Sequence, residues 1–201
     1  MASSPHASPD DALIQQVVQN LENRGVKAVV FDFDCTITLK HSGGRVRNEK
    51  MASFLEGNVS PCFLKLLPAL LARSFIVGVA TFADSYRAPA THCAGEALVR
   101  AHFQHFFGTG FEEQIPIVAA YPDNYQSESA FRSLGLKAPM AQSKEYHLHL
   151  LCHLWGLSPA QVALVDDDQK NVMAAANDGH AAMFVPERNG VRIQDMEPLN
   201  Y

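Results

Sequence analysis

The sequence predicts an α/β fold: a five-stranded parallel sheet with helices on both faces. Three observations predict it. Short apolar runs rich in β-branched residues recur along the chain, as strands buried on both faces do. Stretches with helical spacing separate most of them. Three of the runs end in polar residues, Asp32/Asp34, Thr81 and Asp166/Asp167, which a parallel sheet would bring to the edge where such folds bind ligands.

Taken in order, Ser8-Pro9-Asp10-Asp11 opens a helix with a capping hydroxyl, a first-turn proline and acids at the positive end. Leu13, Val17 and Leu21 then recur every four residues, and Gly25 ends the run. Residues 27–32 form the first strand. Residues 38–48 are rich in turn formers, and Gly43-Gly44 predicts a tight hairpin that makes a small flap over the sheet edge. Residues 49–56 are weakly helical. Ser60-Pro61 starts a helix over 62–72, which Pro68 is expected to kink or divide.

Residues 75–81 are the second strand. Residues 92–107 read as a helix with Val99, Phe103 and Phe106 on one face, closed by Gly108. A third strand over 115–120 leads into a loop at 121–124. Ser143 is expected to cap a helix carrying Leu148, Leu151 and Trp155, which Gly156 ends. The fourth strand, 162–165, runs into Asp166-Asp167-Asp168; a helix over 169–177 and a fifth strand over 181–185 follow. Residues 186–201 read as a loop tail.

Composition narrows the function classes. The 201 residues, 47% hydrophobic, suit a folded chain with a sizeable core. The expected organisation is a disordered stretch over 1–9 and one domain over 10–201. Sixteen basic residues against 21 acidic ones leave a net charge of −5, which argues against nucleic acid or an anionic membrane as partner. Cys35, Cys62, Cys93 and Cys152 form no CxxC pair, so a reduced, cytoplasmic setting is expected. The N-terminal residues lack the apolar core of a secretory signal. Lys65, Pro68 and Arg73 interrupt the most apolar stretch, 63–83, which reads as a helix and a strand instead of a membrane span.

Asp32 and Asp34 carry the chemistry. Side chains alternate along an extended chain, so the two carboxylates share a side if the strand persists that far. Such a pair is costly unless a cation or a proton offsets the repulsion.

With Asp32-Phe33-Asp34-Cys35-Thr36, a strand ending in Thr81, Lys144 ahead of the fourth strand, and Asp166-Asp167 after it, the chain resembles the haloacid dehalogenase superfamily over nearly its whole length. The resemblance implies a Rossmann-like three-layer sandwich and a Mg2+-dependent phosphomonoester hydrolase. Asp32 would be the nucleophile, forming an aspartyl-phosphate, and Asp34 the acid and base. Thr81 and Lys144 would hold the phosphoryl group; Lys137 is a rival to Lys144, further from the strand. Asp32, Asp34 through its backbone carbonyl, and Asp166 would hold Mg2+, with Asp167 acting through a water or by orienting neighbours. Asp168 reads as a helix cap. A phosphomutase, or a silent member that only binds a phosphorylated ligand, is the alternative.

The segments after the first and second motifs leave room for only a flap, so the resemblance is to capless or minimally capped members. Their substrates can be phosphorylated small molecules or phosphoproteins. Arg45, Arg47 and Arg87 could meet a substrate anion. His149 and His153, with Cys152 beside them, have helical spacing suggestive of zinc, but no second cluster accompanies them. Cys35 lies among carboxylates that should raise its pKa, which predicts an unreactive thiol.

Overall fold

A computed structural model describes residues 9–86 and 88–196. Ser8, the rest of the stretch expected to be disordered up to residue 8, Arg87 and residues 197–201 lie outside these described residues. Pro9, also assigned to that stretch, already opens helix α1 (Pro9–Asn23).

The chain then forms β1 (Ala28–Phe31), β2 (Arg45–Arg47), α2 (Met51–Leu55), α3 (Pro61–Ala72) and β3 (Ile76–Thr81). Next come β4 (His92–Ala94), α4 (Gly95–Phe107), β5 (Ile117–Ala119) and α5 (Glu128–Ser133). It closes with α6 (Glu145–Trp155), β6 (Val162–Asp166), α7 (Gln169–Asn177) and β7 (Ala181–Phe184). Five strands pair in parallel in the order β5-β3-β1-β6-β7, with Phe31 in register with Val79 on one side and Val165 on the other. The chain grows outward from β1 to β3 and β5, then crosses to β6 and β7. The strand order therefore reverses at β1, where open α/β sheets form their binding crevice.

Period-two alternation along β1 builds both cores. Val29 and Phe31 face the larger one, with Phe63 of α3, Phe103 of α4 and Val18 of α1; Ala28 and Val30 face Leu148 and Leu151 of α6 and Val172 of α7. Gly78 serves this second layer. A side chain on it would meet the ring of Trp155 at 2.8 Å, so glycine here lets α6 lie close to β3.

Several expectations need correcting. Gly43 and Gly44 both take positive φ, at 70° and 79°, but make no local hairpin. β2 pairs antiparallel with β4, the segment His92–Ala94 read as the start of a helix. The residues that would have formed the other hairpin arm are engaged elsewhere. Leu39 and Lys40 donate their N–H groups to Asn58 Oδ1, and Ser42 donates to Asp34. The flap is thus a two-stranded ribbon joining distant parts of the chain. α3 is not divided at Pro68, which lies on its exposed side, where a carbonyl deprived of its donor can turn to water. Lys144 and not Ser143 is the N-cap of α6, and its side chain makes no cap bond. The loop at 121–124 contains a 3-10 turn, Pro122–Tyr125, and α5 was not expected.

The tail is anchored, not loose, as far as residue 196. Gly190 and Val191 donate to the carbonyls of Cys35 and Thr36 at 3.0 and 2.8 Å, and Val191 and Met196 are buried. The apolar stretch at 63–83 resolves into α3 and β3 as expected. Among the described residues no helix is long and apolar enough to cross a membrane.

Candidate active site

β1 ends one residue before Asp32, whose N–H donates to Val165 O at 2.8 Å. The parity that points Ala28 and Val30 toward α6 sends Asp32 the same way. The strand does not persist to Asp34. The backbone leaves it in a tight turn over Phe33–Ile37, with Cys35 at φ 62°, a left-handed conformation uncommon outside glycine. Asp32 and Asp34 accordingly reach one cavity by different routes instead of sharing a strand face.

Asp34 is held by the start of the flap. Ser42 donates its N–H to Oδ1 at 2.9 Å and its hydroxyl to Oδ2 at 2.7 Å, and His41 Nδ1 lies 3.3 Å from Oδ2. Burial raises the Asp34 pKa above the ordinary carboxylate value; the Ser42 bonds oppose this, and the charge of Asp32 adds to it.

Lys144 is buried, and its Nζ donates to Asp32 Oδ1 at 2.8 Å and to Ala80 O at 2.9 Å, 3.9 Å from the centroid of the Phe82 ring. Its rival Lys137 is exposed in a separate groove. Thr81, at the end of β3, accepts the Ala83 N–H on its hydroxyl oxygen at 3.0 Å, so its own proton remains to be donated. His147 fastens this strand end, with Nε2 3.2 Å from Thr81 O and 3.0 Å from Ala120 O. Burial, aided by Lys144, pushes its pKa down to about 3, so it is neutral.

β6 delivers Asp166 and Asp167. Asp166 is fully buried and accepts from Asp168 N at 2.8 Å and from Asn171 Nδ2 at 3.1 Å on both oxygens. Its pKa stands well above the ordinary value because of burial first and then the charge of Asp32. Asp167 accepts from Arg188 Nε at 2.7 Å, and burial with Asp32 raises its pKa against that guanidinium. Asp168 caps α7 by accepting from Lys170 N at 2.9 Å, as its place in the sequence suggested.

Asp32, Asp166 and Asp167 each present an oxygen within 4.8 Å of the others. This donor set suits a hard divalent cation: all three are carboxylates, all are buried, and two carry pKa values raised by burial and then by the charge of Asp32. Lys144 and Arg188 offset part of that charge. The side chain of Asp34 stands outside the set, so only its backbone could contribute. Asp167, expected to act through a water or by orienting its neighbours, presents an oxygen to the same cluster.

The cavity above these acids has a volume of about 610 Å³ and includes Asp32, Asp34, Thr81, Asp166 and Asp167 in its walls. Arg45 lines it, whereas Arg47 lies on another groove and pairs with Glu49 at 3.6 Å; Arg87 is outside the described residues. Ser42, Asn171, His147 and Arg188 were missed in the sequence. Each acts by holding an acid or a strand end, and no motif marks such a role. The Cys35 thiol is pushed up to about 11 by burial and by Asp167 and Asp34, the direction expected of it. His149 and His153 are exposed on α6 while Cys152 is buried, and the acid triad is the only group of three or more such side chains among the described residues placed so that it could hold a metal ion.

No family model matches the chain, and no curated protein does. Solved structures do. A protein described as a HAD-like phosphatase, from Mesorhizobium loti, superposes with a TM-score of 0.51 at 16% identity, covering 85% of this chain and 84% of that one. A predicted phosphoglycolate phosphatase from Haemophilus somnus 129pt gives 0.48 at 15% identity, over 87% of this chain and 92% of that one. The 3-deoxy-D-manno-octulosonate 8-phosphate phosphatase of Moraxella catarrhalis gives 0.43 at 14% identity, over 90% and 76%. Dehalogenases are also among the matches. The first of these likenesses, joined to a parallel sheet with acids at its carboxyl edge and a two-stranded flap beside it, identifies this chain as having the haloacid dehalogenase fold.

Proposed function

We propose that the protein is a Mg2+-dependent phosphomonoester hydrolase. The observation that carries this reading is the opening of Asp32 and Asp34 onto one cavity, with their carboxylates held by different partners. Asp32 is the nucleophile: one of its oxygens bonds to phosphorus as the bond from phosphorus to the ester oxygen breaks. Asp34, whose raised pKa favours its acid form, gives its proton to the departing alkoxide. It then takes a proton from water as the water oxygen attacks phosphorus and the bond to Asp32 breaks, which restores both carboxyl groups. Lys144 balances charge at Asp32, and the Thr81 hydroxyl donates to a phosphoryl oxygen. Asp32, Asp166, Asp167 and the Asp34 carbonyl would hold the cation, which supplies charge stabilisation for the phosphoryl group.

Asp34 favours this chemistry over dehalogenation. An alkoxide leaving group needs a proton and a halide does not. The test is phosphate release from an aryl phosphate with Mg2+, with EDTA, and in Asp32→Asn. Release that requires the cation and disappears in the variant is expected. Release indifferent to both overturns the mechanism.

A further inference from the structure

An aromatic wall runs from the reaction centre to the cavity mouth. Lys144, which binds Asp32, lies 3.9 Å from the centroid of Phe82. Phe82 meets Tyr121 edge to face, with centroids 6.1 Å apart. Tyr86 also lines the cavity, its ring centroid 5.7 Å from that of Tyr125. Tyr121 and Tyr86 are 42% and 39% exposed, although both line the cavity that holds the acids. Rings that keep this much exposed surface on the lining of a polar site offer a ligand apolar area at little conformational cost.

The wall is built to stay in place. Asp84 Oδ1 accepts the Tyr86 N–H at 2.8 Å, and Oδ2 accepts the Tyr121 N–H and Asn124 Nδ2, both at 3.1 Å. A single carboxylate thereby fixes the backbones of both exposed tyrosines, from segments far apart in sequence. Gly95 closes the loop from behind. It takes a φ of +59°, and a side chain there would meet Ser85 N at 2.8 Å. Preorganised aromatic surface of this kind favours binding by avoiding an ordering cost.

We propose that the substrate carries a planar aromatic ring on the alcohol side of its phosphate ester, seated against Tyr121 and Tyr86. This rests on the phosphatase reading and names the substrate class for it. The contact between rings is worth roughly 2- to 10-fold per tyrosine.

The test compares kcat/KM for benzyl phosphate and ethyl phosphate, whose leaving alcohols are both aliphatic, in the Mg2+-loaded full chain. The benzyl-to-ethyl ratio should fall roughly 2- to 10-fold in Tyr121→Ala, fall likewise in Tyr86→Ala, and be retained in Tyr121→Phe. Leu154→Ala, an exposed change on α6 away from the cavity, should keep the wild-type ratio. O-phosphotyrosine and adenosine 5′-monophosphate, run beside them, separate a ring on the ester oxygen from one beyond a sugar; sensitivity of either to Tyr121→Ala supports the proposal. A ratio unchanged in both alanine variants overturns it and leaves the phosphatase reading standing. If no ester is hydrolysed, the aryl phosphate included, the phosphatase reading fails instead, and calorimetry with benzylphosphonate and ethylphosphonate decides. Equal affinities overturn the aromatic subsite. A preference for the benzyl compound that is lost in Tyr121→Ala sustains it.

Discussion

Lys144 Nζ lies 2.8 Å from Asp32 Oδ1 across 112 residues of sequence, with both side chains buried. Lys144 also takes the Ala80 carbonyl, so it ties β1 to β3 and to the start of α6. Lys144→Met removes the cation but leaves Asp32 buried beside Asp166. Breaking a buried pair by deleting one partner costs about 3–5 kcal/mol, and losing one stabilising donor in a reaction centre costs about 100- to 1,000-fold in kcat. Urea denaturation and steady-state kinetics check both. A variant as stable and as active as the parent would deny Lys144 either role.

Asp166 offers the opposite experiment. Its pKa is raised in the folded protein, so the native state holds a proton over a range where the unfolded chain has released its own. In metal-free protein the stability contributed by this group is therefore complete only below the ordinary carboxylate value of 3.8 and is lost as pH climbs from there to the raised value. Asp166→Asn removes that dependence and should leave metal-free protein as stable as the parent at neutral pH or more so. The same change should abolish any rise in Tm on adding Mg2+, because the cation loses a fully buried ligand. Differential scanning fluorimetry with and without Mg2+ reads both effects. A variant that is less stable without metal and still responds to Mg2+ would place the cation elsewhere.

The places of Asp32, Thr81 and Asp166 were legible because each stands at a strand end that hydrophobic patterning marks, and that of Lys144 through the family resemblance. Residues that hold them were not. Ser42 bonds Asp34 at the start of a flap whose β2 pairs with β4, and antiparallel pairing between segments so far apart leaves no local pattern. The glycines at 43 and 44 have the positive φ of a hairpin turn. Asn58 and Asp34 had nonetheless engaged the arm such a hairpin requires. The anchored tail was hidden for a similar reason. Val191 is buried through backbone bonds to the turn after β1, and the few apolar residues of that mostly polar stretch give no periodicity to read.

Ser42→Ala tests that hidden support. It deletes the 2.7 Å hydroxyl bond to Asp34 Oδ2 and keeps the N–H bond to Oδ1. The carboxyl group can then rotate away from the position of a leaving oxygen. A misplacement of this kind lowers kcat on the order of 10- to 100-fold and leaves KM nearly unchanged. Ser42→Thr, which retains a hydroxyl, should recover much of the rate. A fall confined to KM would instead make Ser42 a substrate contact.

His102 sets an acid limit on the fold from well inside the larger core. The ring is fully buried, with Nε2 2.8 Å from Asn58 O, and it packs against Phe33 and Phe106 at centroid distances of 5.2 and 4.7 Å. Nδ1 has no hydrogen-bond partner. Burial drives the pKa down from 6.5 to about 4, because a proton on Nδ1 would place a charge among aromatic rings. The folded state binds this proton less readily than the unfolded chain. Its contribution to stability is therefore complete above pH 6.5 and is lost as pH falls toward 4. A shift of this size corresponds to about 3 kcal/mol once fully expressed. His102→Gln can keep a donor for Asn58 O and does not titrate. The difference in unfolding free energy between parent and variant, followed by urea titration, should shrink on acidification between those two values. A difference independent of pH across that range would mean that the buried imidazole titrates normally.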